Sequence, residues 1–231
     1  MTEAAHERPW RAAALLWLAG SGLRLTILAV PPVITLVRDD FGLNATQVGL
    51  LSSIPPALFA IAALLGSLLV ARLGVKGALV GGLLIIAVGS ALRGLSGSYD
   101  VLLLTTIVMS AGVAIMQPIM PSAVRQWLPH RIGLGTAIYT NGLLVGEVLP
   151  VVLTLPLVLP LLAGGWRTAL VAWSVPVVAI AAVVALYAPH PRSRGAAADI
   201  LHTKWLPDWR DGLVWRLGAL FCCVNAIYFG T

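Results

Sequence analysis

The sequence is organised as six blocks of about twenty apolar residues, separated by short polar connectors. The blocks cover residues 12–37, 48–71, 78–95, 101–124, 133–155 and 168–188. An α-helix rises about 1.5 Å per residue, so about twenty residues cross the hydrocarbon core of a bilayer. Charged residues make up only 10% of the chain, whereas about 25% is typical of a soluble domain. The sequence therefore predicts an all-α, multi-pass membrane protein with six complete spans.

The residues after the sixth block differ in character. Residues 189–213 are rich in Pro, Arg, Asp, His and Lys and predict a cytoplasmic linker. A seventh apolar segment begins near Leu217 and stops at Thr231, which is too short to cross a bilayer comfortably. We therefore expect a six-helix bundle over 1–188, a linker over 189–213 and the start of a truncated seventh helix over 214–231. This order is typical of the first half of a two-halved membrane protein.

Basic residues lie mainly on one side of the predicted spans. Placing the N-terminus in the cytoplasm leaves only Arg38, Arg93 and Arg167 on the opposite side. Cytoplasmic loops carry an excess of Lys and Arg, so the pattern predicts a cytoplasmic N-terminus. The same rule explains the net charge of +6 without a nucleic-acid partner. The eleven basic residues on the predicted inner side are Arg8, Arg11, Arg72, Lys76, Arg125, Arg131, Arg192, Arg194, Lys204, Arg210 and Arg216.

Two charged residues fall deep within the predicted spans. Arg24 is about twelve residues, or roughly 18 Å, from either end of the first block. Glu147 is about fourteen residues, or roughly 21 Å, into the fifth. A guanidinium at the bilayer centre costs roughly 2.5–3.5 kcal/mol on insertion scales, so such a residue indicates a functional site. Gly20 and Ser21, one turn before Arg24, leave room beside its side chain.

Arg24 and Glu147 admit two interpretations. They form a structural pair that offsets the desolvation of both charges, or Arg24 binds an anionic substrate while Glu147 holds it or exchanges a proton. The two are compatible, since substrate can compete with Glu147. Polar side chains nearby give further substrate-binding candidates: Gln117, Tyr139 and Asn141. Residues at alternating steps of four and three predict an inward polar stripe on the fifth helix: Thr136, Thr140, Leu143, Glu147, Pro150 and Thr154.

Motifs of soluble enzymes do not occur in the sequence. It has no His-Glu-x-x-His, no phosphate-binding glycine loop and no Cys-x-x-Cys, and its histidines all fall outside the predicted spans. The adjacent Cys222 and Cys223 lie in the last apolar segment, where small packing residues are common. We therefore predict neither an enzyme, a metal site nor a cofactor.

Several motifs resemble one family. The chain resembles the N-terminal half of major facilitator superfamily transporters, and within them the cyanate/2-nitroimidazole permease branch. The resemblance extends to Asn225 and Tyr228 at the start of the seventh span. The matching residues are Leu23-Arg24, Pro32, Asp39-Asp40-Phe41-Gly42-Leu43-Asn44, Gln47-Val48-Gly49-Leu50-Leu51, Arg93, Gln117-Pro118-Ile119-Met120-Pro121, Gly133-Leu134-Gly135-Thr136-Ala137-Ile138-Tyr139-Thr140 and Gly165-Trp166-Arg167.

The resemblance implies a six-helix bundle built as a 3+3 inverted repeat, in the inner membrane of a bacterium. It implies alternating access between two such halves, the second supplied by a missing C-terminal half or a second copy. Paired prolines in the first and fourth spans, Pro31-Pro32 and Pro118 with Pro121, agree weakly with a repeat and indicate bendable helices.

The chain departs from the family pattern at two places. Ala71 precedes Arg72-Leu73-Gly74 where the family has an acidic residue, so Arg72 and Lys76 are expected to gate without a charge relay. Val108 occupies the position of an arginine found in proton-coupled members, which leaves Glu147 as the main candidate for coupling to a proton or counter-substrate.

The function expected from these features is secondary transport of a small organic anion bound by Arg24 and Gln117. One alternative is efflux of neutral or aromatic compounds, with Arg24 and Glu147 a structural pair. Another is a non-transporting, truncated helical bundle. Substrate identity, direction of transport and coupling ion stay open.

Overall fold

The structure, a computed structural model, describes residues 9–162 and 165–189 and a few positions beyond them. In residues 60–71 it describes the helix but not the side chains. The chain divides into two compact units, Met1–Pro191 and Arg192–Thr231. In the second unit, residues 212, 215, 216, 218–220 and 223 are helical. Most of the predicted linker and most of the predicted seventh helix lie outside the described residues.

The first unit is all-helical over its described residues, as the sequence predicts. A helical run over Ala45–Gly94 is interrupted at Gly74, whose φ of 69° and ψ of 171° are non-helical. A positive φ is easily adopted only by glycine, so Gly74 separates the two parts of this run. The helices are α1 (Pro9–Leu25), α2 (Ile34–Phe41), α3 (45–73), α4 (75–94), α5 (Tyr99–Trp127), α6 (Ile132–Leu161) and α7 (Trp166–Tyr187).

Four helices within the described residues are long and apolar enough to cross a membrane. They are Arg72–Gly94, Tyr99–Trp127, Ile132–Leu161 and Trp166–Tyr187. They correspond to the predicted third to sixth spans. The predicted first span is not one helix, because α1 ends at Leu25 and is followed by a turn over 26–30 and a 3-10 turn over Pro31–Val33. This break coincides with the paired prolines, whereas Pro118 and Pro121 lie within an uninterrupted α5.

Glycines bring the long helices into backbone contact. Gly89 of α4 lies so close to Met109 of α5 that a Cβ atom would be 2.7 Å from the Met109 nitrogen. A Cβ at Gly94 would overlap the carbonyl oxygen of Arg167 at the start of α7. Ser90 also donates a 3.3 Å hydrogen bond to the Leu170 carbonyl of α7. Membrane helices associate largely through such close packing, because lipid tails are as apolar as the helix faces.

One turn of α6 is wider than the rest. Residues Thr154–Val158 form a π-helical turn just after Pro150. The Thr154 hydroxyl donates to the Pro150 carbonyl and accepts a 2.9 Å hydrogen bond from the indole nitrogen of Trp173 on α7. The Thr154 side chain therefore links the widened turn of α6 to α7. The predicted polar stripe is buried at Pro150 and Thr154.

The Asp40 cluster joins the end of α2 to the start of α7. It comprises Asp40, Phe41, Ser96, Trp166 and Arg167. Arg167 Nη1 lies 2.6 Å from Asp40 Oδ2, and its Nε donates to the Ser96 carbonyl at 3.2 Å. The guanidinium also lies over the Trp166 and Phe41 rings, at 4.4 and 5.2 Å from their centroids. Two of the motifs in the sequence, Asp39-Asp40-Phe41 and Gly165-Trp166-Arg167, thus form one contact.

Replacing Arg167 by glutamine is expected to destabilise the protein by about 0.5–1 kcal/mol. The effect is small because Arg167 and Asp40 are 39% and 40% exposed, so water screens the ion pair. Thermal unfolding in detergent measures it, with Arg38→Gln at an exposed position as the control. High salt should shrink the difference. A loss of the same size in high salt would mean that ring stacking, not the ion pair, holds the cluster together.

Candidate functional site

Arg24 and Glu147 meet inside the bundle. Arg24 lies in the last turn of α1 and Glu147 near the middle of α6. The Arg24 Nε and Glu147 Oε1 atoms are 3.5 Å apart, and the two side chains are 13% and 14% exposed. The Nε atom is buried and makes no hydrogen bond with any described residue. The two charges are therefore paired but not tightly hydrogen-bonded through this nitrogen.

Three glycines explain why α1 and α6 meet here. A Cβ atom at Gly20 would overlap the Tyr139 carbonyl oxygen, and one at Gly146 would overlap the Ser21 carbonyl oxygen. A Cβ atom at Gly142 would likewise overlap the carbonyl oxygen of Trp17. Gly142 and Gly146, two small residues four positions apart, form the kind of pair that packs membrane helices closely. This contact sets the distance across which Arg24 reaches Glu147.

Phe59 of α3 forms a third side of the site. The Arg24 Cζ atom lies 5.5 Å from the centroid of the Phe59 ring. A cation over an aromatic face is attracted to it by roughly 0.5–2 kcal/mol, more when water is excluded. The sequence gives no signal for this role, because an aromatic residue within an apolar block looks the same whether it packs in the core or faces a cation.

Arg93 brings a second guanidinium into the bundle. The sequence predicts it on the side opposite the N-terminus, with Arg38 and Arg167, but the structure buries it to 2% exposure. Its Nη1 atom donates to the Thr26 carbonyl at 3.1 Å and contacts the Met109 sulfur at 3.1 Å. A long arginine near a helix end can turn inward or outward, so sequence position alone does not fix its direction.

The two guanidiniums make the end of α1 electropositive. Arg24 precedes the break in the first span, and Arg93 bonds the carbonyl of Thr26, two residues later. In the described part of this region, Glu147 is the one carboxylate within ion-pair distance of either arginine. Buried polar atoms without a hydrogen-bond partner among the described residues are Arg24 Nε, Thr26 Oγ1, Arg93 Nε and Ser110 Oγ.

The other predicted substrate-binding residues are more scattered. Asn141 accepts a 2.9 Å hydrogen bond from the indole of Trp17, which joins it to α1 on an exposed face. Tyr139 is half-buried, and its backbone faces Gly20. Gln117 is half-buried on α5. The first two residues of the predicted polar stripe on α6, Thr136 and Thr140, are exposed. The stripe is at least partly buried only from Leu143 onward.

The predicted gating residues flank the Gly74 turn. Lys76 Nζ donates a 3.1 Å hydrogen bond to the Ala188 carbonyl, just past the end of α7. A cation at a helix C-terminus is stabilised by the unpaired carbonyls there. Arg72 is exposed on the other side of the turn. Lys76 therefore ties the turn between α3 and α4 to α7.

A cavity of about 220 Å³ lies away from this site, between α2 and the start of α3. Ligand pockets usually measure about 300–1,000 Å³, so this one is small for an organic substrate. Its lining residues are Ile34, Thr35, Arg38, Ala45 and Val48. The described residues contain no group of three or more His, Cys, Asp or Glu side chains that could hold a metal ion.

Comparisons with known proteins place these features in context. A model of the Major Facilitator Superfamily matches residues 14–231. The 2-nitroimidazole transporter of Escherichia coli is 27% identical over 90% of this chain and 51% of its own length. The cyanate transport protein CynX of Escherichia coli is 28% identical over 93% and 54%. An uncharacterized transporter of Bacillus subtilis, YycB, is 26% identical over 96% and 54%. The chain thus spans about half the length of these relatives.

Proposed function

Because the chain belongs to the major facilitator superfamily, we propose that it works in a secondary transporter that moves a small organic anion by alternating access. Arg24 binds the anion. The membrane is the inner membrane of a bacterium, and the N-terminus is cytoplasmic, in line with the distribution of Lys and Arg. The second half of the transport path is a C-terminal half or a second copy of the chain.

The observation that carries this proposal is the excess of positive charge at the end of α1. Two guanidiniums, Arg24 and Arg93, lie there against the single carboxylate of Glu147. One carboxylate offsets only one of the two positive charges, so an added anion is stabilised at this place. One relative is named for the transport of cyanate. Cyanate is a monovalent anion, so its charge agrees with the proposed substrate class.

Arg24 is better suited to the anion than Arg93. Its side chain is partly exposed, whereas Arg93 is almost completely enclosed. The planar guanidinium presents a fork of donors that matches a carboxylate or similar oxyanion. Its buried Nε atom forms no hydrogen bond with a described residue, so an anion that enters the site would satisfy this donor. Phe59, under the guanidinium, restricts the anion to the edge of the fork.

Glu147 links binding to a second event. An anion at Arg24 competes with Glu147 for the same guanidinium, whose Nε lies 3.5 Å from the carboxylate. In this proposal Glu147, displaced from Arg24 by the anion, couples anion binding to the movement of a proton or a counter-substrate. Lys76 and Arg72, at the Gly74 turn, lie where a rocking half would close the cytoplasmic side.

A second candidate function is efflux of neutral or aromatic compounds. The observation that favours it is the ion pair itself, since Arg24 and Glu147 are close enough to offset each other's charge. In that case the aromatic side chains near α1, Phe59 and Trp17, would contact the substrate. The two functions predict different effects on anion affinity when the charge of Glu147 is removed.

Replacing Glu147 by glutamine is expected to raise anion affinity about tenfold, equivalent to about 1.4 kcal/mol. The reason is that the anion no longer competes with a carboxylate for Arg24. Thermal stability of the purified protein, titrated with cyanate, formate, acetate and benzoate, measures affinity, because a ligand of the folded state raises the melting temperature. Asp39→Asn, which removes an exposed carboxylate, is the control.

The structural pair gives the opposite result. Breaking a buried ion pair costs about 3–5 kcal/mol, so Glu147→Gln would then lower the melting temperature without revealing any anion response. That outcome, with wild-type protein equally unresponsive to all four anions, would refute anion binding by Arg24 and favour efflux of uncharged compounds.

A further inference from the structure

The break after α1 leaves backbone carbonyls without their helical donors. The Arg24 carbonyl accepts from the amides of Ile27 and Leu28 at 3.2 and 3.4 Å, which closes the last turn of α1. Pro31 and Pro32 have no N–H, so they cannot bond the carbonyls of Ile27 and Leu28 as an uninterrupted helix requires. In a membrane each unbonded carbonyl costs free energy unless another group supplies a donor.

Prolines alone do not explain the break. Pro118 and Pro121 lie within α5, and Pro176 lies within α7, without interrupting either helix. At the break, however, a donor from another helix enters the backbone. Arg93 Nη1 bonds the Thr26 carbonyl at 3.1 Å, whereas in a continuous helix this carbonyl would accept from the amide of Val30, four residues later.

The burial of Arg93 makes this bond important to both partners. Arg93 is 2% exposed, and within the described residues its hydrogen-bond partners are neutral: the Thr26 carbonyl and the Met109 sulfur. Arginine does not lose its charge in proteins, so the charge must be stabilised where it lies. The carbonyls at the C-terminal end of α1 carry partial negative charge and provide that stabilisation. The bond therefore stabilises both the buried charge of Arg93 and the Thr26 carbonyl at the break.

We propose that Arg93 is a positioning residue that keeps the first span broken and thereby aims Arg24 at the anion. This inference rests on the proposed function of Arg24. Arg24 lies two residues before Thr26, in the last turn of α1. The break follows directly after this turn. Because α1 ends at Leu25, the break determines the path of the chain directly after Arg24, whose side chain contacts Glu147 and Phe59. Without the Arg93 bond, Thr26 can accept from Val30 and the helix extends past Arg24.

The first test uses protein without any added anion and asks whether the first span stays broken. Spin labels at Ala14→Cys and Leu36→Cys, both exposed, report the distance between α1 and α2 in protein whose native cysteines are replaced by serine. Arg93→Met, which keeps the bulk of the side chain but has no donor, should shift the distance distribution. Arg93→Lys, which keeps a charge and a donor, should retain it. Arg125→Met, at an exposed arginine of α5, is the control.

An unchanged distribution in folded Arg93→Met protein would overturn the proposal. A second variant covers the case in which Arg93→Met does not fold. Val30→Pro removes the amide that a continuous helix needs, and the described structure has no hydrogen bond from this amide to the Thr26 carbonyl. Val30 is buried, so Val30→Ala serves as the control for lost side-chain packing. Val30→Pro should leave the spin-label distance unchanged and be no less stable than Val30→Ala, whereas a changed distance with a larger loss of stability would show that the first span is continuous and that Arg93 does not hold it open.

Anion titration separates this inference from the proposed function. Arg93→Met should lower anion affinity about tenfold, or about 1.4 kcal/mol, and Arg93→Lys should restore most of it. If Arg24→Met leaves anion affinity unchanged, the proposed function fails while the spin-label distances still decide the role of Arg93. If Arg24→Met removes binding but Arg93→Met leaves both distance and affinity unchanged, only the positioning role fails.

Discussion

Replacing Arg24 by methionine is expected to abolish anion binding, with affinity lowered about a hundredfold or more, equivalent to about 2.7 kcal/mol. The substitution removes the donor fork and leaves the carboxylate of Glu147 in a half-buried position without this cation. Truncating one partner of a buried charge pair typically costs about 2–5 kcal/mol, much of it from the charge left behind. Uptake of labelled anion into liposomes and the thermal shift both measure the loss.

Two further variants separate binding from folding. Arg24→Met combined with Glu147→Gln removes both charges, so the folded state should recover stability while anion binding stays lost. Arg24→Lys keeps the charge but not the planar fork and should bind with intermediate affinity. A doubly substituted protein that still binds anions would show that Arg24 is not the binding residue.

The second large effect is expected at the contact between α1 and α6. Replacing Gly146 by alanine should destabilise the protein by a few kcal/mol, because the new Cβ atom would overlap the carbonyl oxygen of Ser21 and lie 2.9 Å from its Cα atom. Both obstacles are backbone atoms, so no side chain can move aside. Overpacking of this kind costs typically about 1–3 kcal/mol and sometimes more. Thermal unfolding in detergent, with the fraction of monodisperse protein, provides the measurement.

Gly133 provides a matched control on the same helix. It is exposed near the start of α6, and a Cβ atom there would have no neighbour within 4 Å. Alanine favours a helix over glycine by roughly 1 kcal/mol, so Gly133→Ala should be neutral or stabilising. The same substitution is thus expected to have opposite signs at two positions of one helix. Equal effects at both would mean that the close approach of α1 and α6 does not determine stability.

The sequence predicted the architecture well because apolar block length is set by bilayer thickness. The third to sixth blocks correspond to four helices of spanning length. Arg24 and Glu147, placed at similar depth by counting residues, are in contact in the structure. Gly142 and Gly146, spaced one turn apart, form the packing surface that the pattern indicates. Each of these predictions depends only on the regular rise and spacing of residues within one helix.

The features that the sequence did not predict depend on which helices are neighbours. Phe59 is a partner of Arg24 only because α3 lies beside the end of α1. The inward turn of Arg93 depends on the Thr26 carbonyl, which becomes an acceptor only once the first span breaks. The break coincides with paired prolines, but prolines inside α5 interrupt no helix, so the proline pattern alone did not predict it. Hydrophobic pattern and composition contain no information about these contacts between segments.

The ion pairs of the first two helices of this bundle are both completed by its last two helices. Arg24 meets a residue of α6, and Asp40 bonds Arg167, which follows it by 127 positions. When the chain enters the membrane in order of synthesis, at about 5–20 residues per second, these partners arrive roughly 6–25 seconds later. During that interval the Arg24 guanidinium lacks the carboxylate of Glu147. The ion pairs of the first two helices therefore form only after the last helices of this unit have been synthesised.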